Sequence, residues 1–154
     1  MSQPTQDQCV QPQIDSDASR LFGLEGLAVA RVVTDGVSGR VVHVVTADET
    51  AAGCPSCGVI SVSVKDRVSS RPRDLPHGQA GLSLVWHKRR WRCAETACER
   101  RSFTESLPAV PARARLTTRL RAELGSAVAD SGRTVAEVAG HHRVGWPTVH
   151  RAFI

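Results

Sequence analysis

The spacing of the hydrophobic residues changes about two thirds of the way along this chain of 154 residues. Up to about residue 93 they form short β-branched runs or alternate with polar residues, which is the period of a β-strand. After Pro108 and Pro111 they recur three or four residues apart, which is the period of a helix. The predicted strands are LAVARVV (27–33), RVVHVVT (40–46), VISVSV (59–64) and LSLVWHKRRWRC (82–93).

Turn-forming residues separate these runs. Asp35-Gly36 lies between the first two strands, and this dipeptide favours the tight turn of a β-hairpin. The segment RVSSRPRDLPHG (67–78) is basic and interrupted by two prolines, so we expect it to be a loop. After the prolines, Leu116, Leu120 and Leu124 line one face of a helix that should end at Ser131-Gly132.

Two shorter helices complete the tail. Thr134 and Glu137 have the spacing of a capping box, and the helix that they begin should run to about His142. Gly145-Trp146-Pro147 opens the last helix, because proline is tolerated in the first turn, where no N–H donor is needed. Two short helices around a tight turn predict a helix-turn-helix unit, although Arg143 stands where glycine usually opens that turn. A plain three-helix bundle is the alternative.

Four of the five cysteines form two close pairs, Cys54-x2-Cys57 and Cys93-x4-Cys98. Zinc binds four such thiolates in a tetrahedron, and a tight two-residue loop lets two of them hold one ion. Strands follow or precede each pair, so a hairpin can bring the pairs together. The sequence therefore predicts a zinc ribbon with structural Zn²⁺ and no open ligand position for catalysis.

Three other kinds of site also use closely spaced cysteines. A thioredoxin-like site places C-x-x-C at a helix N-terminus, but here a strand pattern follows. A zinc deaminase needs a His-x-Glu motif, which the sequence lacks. An iron–sulfur cluster or an iron–thiolate site stays open. The odd cysteine, Cys9, has no partner nearby in sequence and is expected to bind no metal.

The charge distribution indicates a polyanionic partner. Residues 1–53 hold three Arg and seven acidic residues, residues 54–115 hold twelve Lys/Arg and five acidic residues, and residues 116–154 hold five Arg and three acidic residues. An acidic leading segment before a basic middle and tail favours nucleic acid, and a solvated basic surface without a partner is the alternative.

The candidate DNA contacts lie on the fourth strand and in the helix-turn-helix. The basic strand side chains and two of the helical arginines suit phosphates, and the N-terminal end of the last helix suits base edges. The set is Lys88, Arg89, Arg90, Arg92, Arg143, Trp146, Thr148, His150 and Arg151. Whether Trp146 contacts DNA or packs in the core is left open, and Trp86 and Trp91 are expected to pack beside the metal core.

The order of these motifs resembles one known family. LFGLEGL, CPSCG, RPRDLPHG, RRWRC, C-x4-F-T-E and WPTVHR follow one another along residues 21–154, as in the N-terminal region of insertion-sequence transposases of the IS-L-three family. That resemblance implies double-stranded DNA, and terminal inverted repeats in particular, as the partner. It also implies a later acidic catalytic domain, which this chain lacks, so we expect a DNA-binding fragment and no enzyme.

The expected fold class is α+β, a small β-rich zinc ribbon followed by a short helix-turn-helix domain. The expected divisions are a disordered tail (1–20), a hairpin leading into the finger (21–53), the zinc ribbon (54–106), a linker (107–115) and the helix-turn-helix, truncated at its recognition helix (116–154). We expect no membrane segment and a bacterial, cytoplasmic, nucleoid-associated location, with a homodimer left open. The alternative function is a zinc-ribbon transcriptional regulator or protein-interaction module.

Overall fold

The computed structural model describes residues 16–36, 39–78 and 82–154. The helices are α1 (Asp17–Phe22), α2 (Thr118–Ala129), α3 (Val135–His142) and α4 (Trp146–Phe153), with a short 3-10 helix at Glu49–Ala52. The strands are β1 (Leu27–Asp35), β2 (Gly39–Thr46), β3 (Val64–Ser70), β4 (Leu82–Arg92) and β5 (Ser102–Thr104). The fold is therefore α+β, with the sheet first and most of the helices after it.

The start of the chain differs from the expected disordered tail. Residues 1–15 lie outside the described part, but residues 17–20 belong to α1. The Ser16 side chain accepts a hydrogen bond from the Ser19 backbone N–H and caps the helix. Phe22, at the other end, is buried in the sheet core. The cap and this apolar anchor together compensate for the entropy of ordering one short turn.

The five strands form one sheet in the order β1-β2-β4-β3, with β5 also paired to β4. The predicted hairpin is present, because β1 and β2 pair antiparallel. Strands β2 and β4 pair parallel over residues 40–45 and 82–87. The hairpin and the strands of the zinc ribbon thus share one sheet, and the expected division at residue 53 coincides with no break in it.

The third strand lies later than predicted. Residues 59–63 are not in a strand, and β3 begins at Val64 and continues to Ser70, inside the segment expected to be a loop. The reason is that 59–61 close the first cysteine turn: the Cys54 N–H donates to the Val59 carbonyl, and the Ser61 N–H donates to the Ala52 carbonyl. The antiparallel partner β4 instead extends the ladder through residues 64–70. Alternation of apolar residues was therefore misleading here.

Buried side chains form three clusters. The sheet core contains Val44, Trp86 and Val110, and the helical core contains Leu124, Val138 and Val149, all of them almost completely buried. The zinc core is smaller and contains Ala52, Cys54, Trp91, Cys98 and Phe103. Residues 107–115, expected to be a linker, contribute Leu107 and Val110 to the sheet core.

The helical predictions agree closely with the structure. Both hydrogen bonds of the capping box between Thr134 and Glu137 are present at the start of α3. Pro147 lies in the first turn of α4. Helix α2 ends at Ala129, two residues before the predicted Ser131-Gly132 stop. Among the described residues, no helix has both the length and the apolar character needed to cross a bilayer.

Candidate metal centre and DNA-binding surface

The four cysteines predicted to bind zinc meet at one place. The sulfur atoms of Cys54, Cys57, Cys93 and Cys98 all lie within 4.8 Å of one another. Cys54 and Cys98 are 3.9 Å apart and Cys57 and Cys93 are 3.6 Å apart, measured between Sγ atoms. A regular tetrahedron with sulfur about 2.3 Å from zinc places neighbouring sulfurs about 3.8 Å apart. The donor set therefore fits structural Zn²⁺.

Backbone hydrogen bonds shape both cysteine turns. In the first, the Gly58 N–H donates to the Cys54 carbonyl over 2.8 Å, and Gly58 has a positive φ of 76° that other residues rarely adopt. In the second, the Cys98 N–H donates to the Glu95 carbonyl over 3.2 Å, so the four-residue spacing also closes into a compact turn. The two cysteine pairs have different spacings, but each forms a compact turn that brings its two thiols to the cluster.

The thiols also interact with one another electrostatically. Burial raises the pKa of Cys54, but backbone N–H groups of Cys57 and Ser56 outweigh it and lower that pKa to about 6. A backbone N–H of Glu95 opposes the shift of Cys93, yet burial and the neighbouring sulfurs raise its pKa to about 12. Negative charge on one sulfur therefore disfavours negative charge on its neighbours. A bound divalent cation would stabilise all four thiolates together.

An apolar shell surrounds part of the cluster. Trp91 and Phe103 pack with the buried Cys54 and Cys98, so the prediction that Trp91 lies beside the metal core is confirmed. The same prediction for Trp86 is wrong. Because successive strand residues point to opposite faces, Trp86 faces the sheet core, where its indole N–H donates to Thr46 over 3.0 Å.

A buried carboxylate that sequence reasoning missed links the zinc core to the sheet core. Glu105 is 2% exposed. Its oxygens accept hydrogen bonds from Thr46 (2.7 Å), from the Arg89 backbone N–H and side chain (2.9 and 2.6 Å) and from Trp91 (3.3 Å). The only sequence signal was its place in C-x4-F-T-E. Arg89, a candidate DNA contact, is thereby committed to an internal ion pair.

The other basic residues of β4 lie on the opposite face from Arg89, because side chains alternate along a strand. Lys88 lies over the Trp86 ring, 4.7 Å from its centroid, and burial lowers its pKa although Glu105 opposes this. Arg90 lies 4.0 Å from an Asp66 carboxylate oxygen, and Arg92 is exposed. The structure therefore divides the predicted basic strand into two faces.

The predicted helix-turn-helix has its two helices and a tight turn. Val138 of α3 and Val149 of α4 are fully buried against α2. Arg143 takes the left-handed conformation expected of a glycine, with φ 52° and ψ 44°. Gly145 precedes α4 without a side-chain cap. Arg143 thus forms the turn at the position where the motif usually has glycine, and its backbone is strained there.

The exposed side of α4 carries the remaining candidates. Trp146 is 51% exposed and stacks on His150, with ring centroids 4.7 Å apart and an interplanar angle of 14°. It is therefore a surface residue, which answers the question left open by the sequence. Arg151 is exposed, and Thr148 and His150 are partly exposed.

The segment 71–78 attaches the helices to the sheet, a role that the sequence did not indicate. The Arg73 guanidinium donates to the carbonyls of His142, over 2.8 Å, and Arg143. Asp74, whose side chain is fully buried, forms an ion pair with Arg119 of α2. The start of α2, the end of α3 and the turn after it are therefore attached to the 71–78 segment.

The fold and the four-thiolate cluster define a zinc-ribbon protein with an adjoining helix-turn-helix. Residues 50–98 match a family model described as the zinc-finger of transposase IS204/IS1001/IS1096/IS1165, and residues 105–154 match the helix-turn-helix domain of transposase family ISL3. The chain therefore carries the zinc-finger and helix-turn-helix domains of ISL3-family transposases, in that order. No curated protein and no solved structure matched the chain.

Proposed function

We propose that this protein binds duplex DNA at the terminal inverted repeats of an ISL3-type insertion sequence, as a binding module with no catalytic step of its own. The observation that carries the proposal is the exposed surface of α4 beside a buried Val149 anchor. Both matched domains are DNA-binding types, and all four zinc ligands come from the chain, so the metal has a structural role. Such a protein would be nucleoid-associated in a bacterial cytoplasm.

In this proposal α4 enters the major groove. Trp146 and Thr148, at its N-terminal end, contact base edges, and His150 supports the Trp146 ring by stacking. Arg143 and Arg151 contact phosphates and so determine register more than sequence. On the ribbon, we assign phosphate contacts to Lys88, Arg90 and Arg92. Arg89 is omitted because its partner Glu105 is buried, whereas the Arg90–Asp66 pair is exposed to solvent.

The test is selection from a random duplex library with the zinc-loaded full chain, followed by affinity measurements on the enriched site. Trp146→Ala should weaken binding to the enriched site about 5- to 150-fold, the range for loss of a base contact, and random duplex much less. Phe153→Ala is the matched control, since Phe153 is an exposed aromatic at the other end of α4. No enriched sequence, or equal effects of the two changes, would argue against base reading by α4.

A second candidate function, protein interaction through the zinc ribbon, has one observation in its favour. Val59, Ile60 and Val62 follow the first cysteine turn and are 38%, 54% and 91% exposed. Neighbouring apolar side chains on a surface can mark a protein contact. Protein interaction replaces DNA binding as the proposed function if the parent chain binds no DNA but binds a protein partner, and if Val62→Ser abolishes that partner binding.

A further inference from the structure

A basic cleft of about 610 Å³ lies between the 71–78 segment and the helix-turn-helix. Its walls come from that segment, from the beginning of β4 and from the C-terminal end of α3. Three arginines and two histidines line it: Arg71, Arg73, Arg143, His141 and His142. Of these only Arg143 was a candidate contact from the sequence.

The negative charge within the cleft is already compensated. Asp74 is the one acidic residue among the described residues that line it. Burial raises the pKa of Asp74, but hydrogen bonds from Arg119 and Thr117 outweigh this and lower that pKa, so the group is ionised. Its charge is opposed by the Arg119 guanidinium in a direct ion pair. The cleft therefore presents positive charge to solvent.

Two of its arginines have different tasks. Arg73 is committed to the carbonyls of His142 and Arg143, and so shapes the wall. Arg71 is exposed and makes no hydrogen bond or ion pair with a described residue. A guanidinium held at the surface with its donors unused is suited to bidentate binding of a phosphate.

The surface around Arg71 continues from the cleft onto the sheet. The side chains of His43 on β2 and His87 on β4 are joined by a hydrogen bond of 2.8 Å between ring nitrogens. Burial is the largest cause that lowers the pKa of His43, and the charges of Arg31, His87 and Arg71 add to it. Arg71 thus lies close enough to influence that histidine as well as the cleft.

We propose that the cleft is a second backbone site for the same duplex, in which Arg71 contacts a phosphate beside the stretch read by α4. This inference rests on the proposed DNA-binding function. Arg143 supports it, because this residue lines the cleft and also forms the turn that leads into α4. Phosphates of a strand bound by α4 are therefore placed to continue toward Arg71.

The test compares Arg71→Ala with Arg20→Ala in the zinc-loaded full chain. Arg20 is also an exposed arginine, on α1 and outside the cleft, whose side chain makes no hydrogen bond or ion pair with a described residue. Arg71→Ala should lower the log–log salt slope by about 0.9 and weaken binding about eightfold at 0.1 M salt, as expected for one lost phosphate contact. The loss should be the same for the enriched duplex and for random duplex, and Arg20→Ala should leave both unchanged.

The possible results distinguish failure of the cleft assignment from failure of the proposed DNA-binding function. A parent chain that binds no DNA would overturn the proposed function. A parent chain that binds, with equal slopes for Arg71→Ala and Arg20→Ala, would overturn the cleft assignment alone. ATP serves as a free-phosphate probe: saturable ATP binding that Arg71→Ala removes, with an unchanged DNA slope, would assign the cleft to a nucleotide instead. Unchanged thermal unfolding of Arg71→Ala is expected and excludes misfolding as the cause.

Discussion

The zinc core and the helical core of this protein are stabilised in different ways. The zinc core buries two cysteines beside Trp91 and Phe103, while apolar residues next in sequence, such as Val62, stay exposed. The helical core buries side chains from three helices, among them Leu124, Val138 and Val149, with no metal donor. A region with so few buried apolar groups needs a cross-link. Loss of the metal should therefore unfold the zinc core and leave the helical core folded.

Removal of the metal should have the largest effect and the clearest contrast. Apparent zinc-binding free energies of small structural sites are about 10–16 kcal/mol, so chelation or Cys54→Ser should unfold the zinc core. Hydrogen exchange should then increase over 52–64 and 91–104, while α2–α4 keep their protection. Cys9→Ser is the matched control and should change nothing. Equal loss of protection in the helices would show that the two cores unfold as one unit.

Breaking the attachment between the sheet and the helices should have the next largest effect. Asp74→Asn leaves the Arg119 guanidinium, which is 26% exposed, without its charge partner, and we expect a loss of about 2–4 kcal/mol in unfolding free energy. Denaturant unfolding measures it, with Asp130→Asn at an exposed site as the control. Because the pKa of Asp74 lies below its ordinary 3.8, this stabilisation is present above that pH and is lost as pH falls below it. A difference that persisted at lower pH would contradict the ion pair as its source.

Two glycines test packing within the helical core. A Cβ on Gly125 of α2 would lie 2.6 Å from the Ala152 carbonyl oxygen of α4, whereas one on Gly140 of α3 would meet nothing within 4 Å. Gly125→Ala should destabilise by about 1–3 kcal/mol despite the better helix propensity of alanine. Gly140→Ala should stabilise by about 1 kcal/mol. Thermal unfolding distinguishes the signs, and a cobalt spectrum should show the zinc site unchanged in both.

The smallest expected effect concerns the left-handed arginine of the turn. Arg143→Gly relieves the strain at φ 52° and should raise the unfolding free energy by about 0.5–1 kcal/mol. The same change should weaken DNA binding, because it removes a guanidinium from the cleft. Arg113, exposed with φ 62°, is the matched control: Arg113→Gly should stabilise similarly and leave DNA affinity unchanged. Equal DNA affinities of the two variants would remove Arg143 from the proposed contact set.

Local signals explain why much of the fold was predictable. The capping box of Thr134 and Glu137 and the proline in the first turn of α4 act within one helical turn, so neighbouring residues suffice to specify them. The close cysteine pairs likewise encode two compact turns, whichever strands carry them. The misplaced third strand shows the limit: residues 59–63 alternate as a strand does, but the Val59 carbonyl and the Ser61 N–H close the first cysteine turn instead.

The amino-acid sequence by itself determined the cysteine ligands, the helical tail and the basic character of the chain, because each depends on residue type and short spacing. Only the tertiary structure decided that β2 and β4 pair parallel, that Arg89 forms an ion pair with the buried Glu105, and that Arg71 lines the same cleft as Arg143. These are contacts between residues far apart in sequence. Their partners are chosen by which buried polar and charged groups can be satisfied together, and no local pattern contains that information.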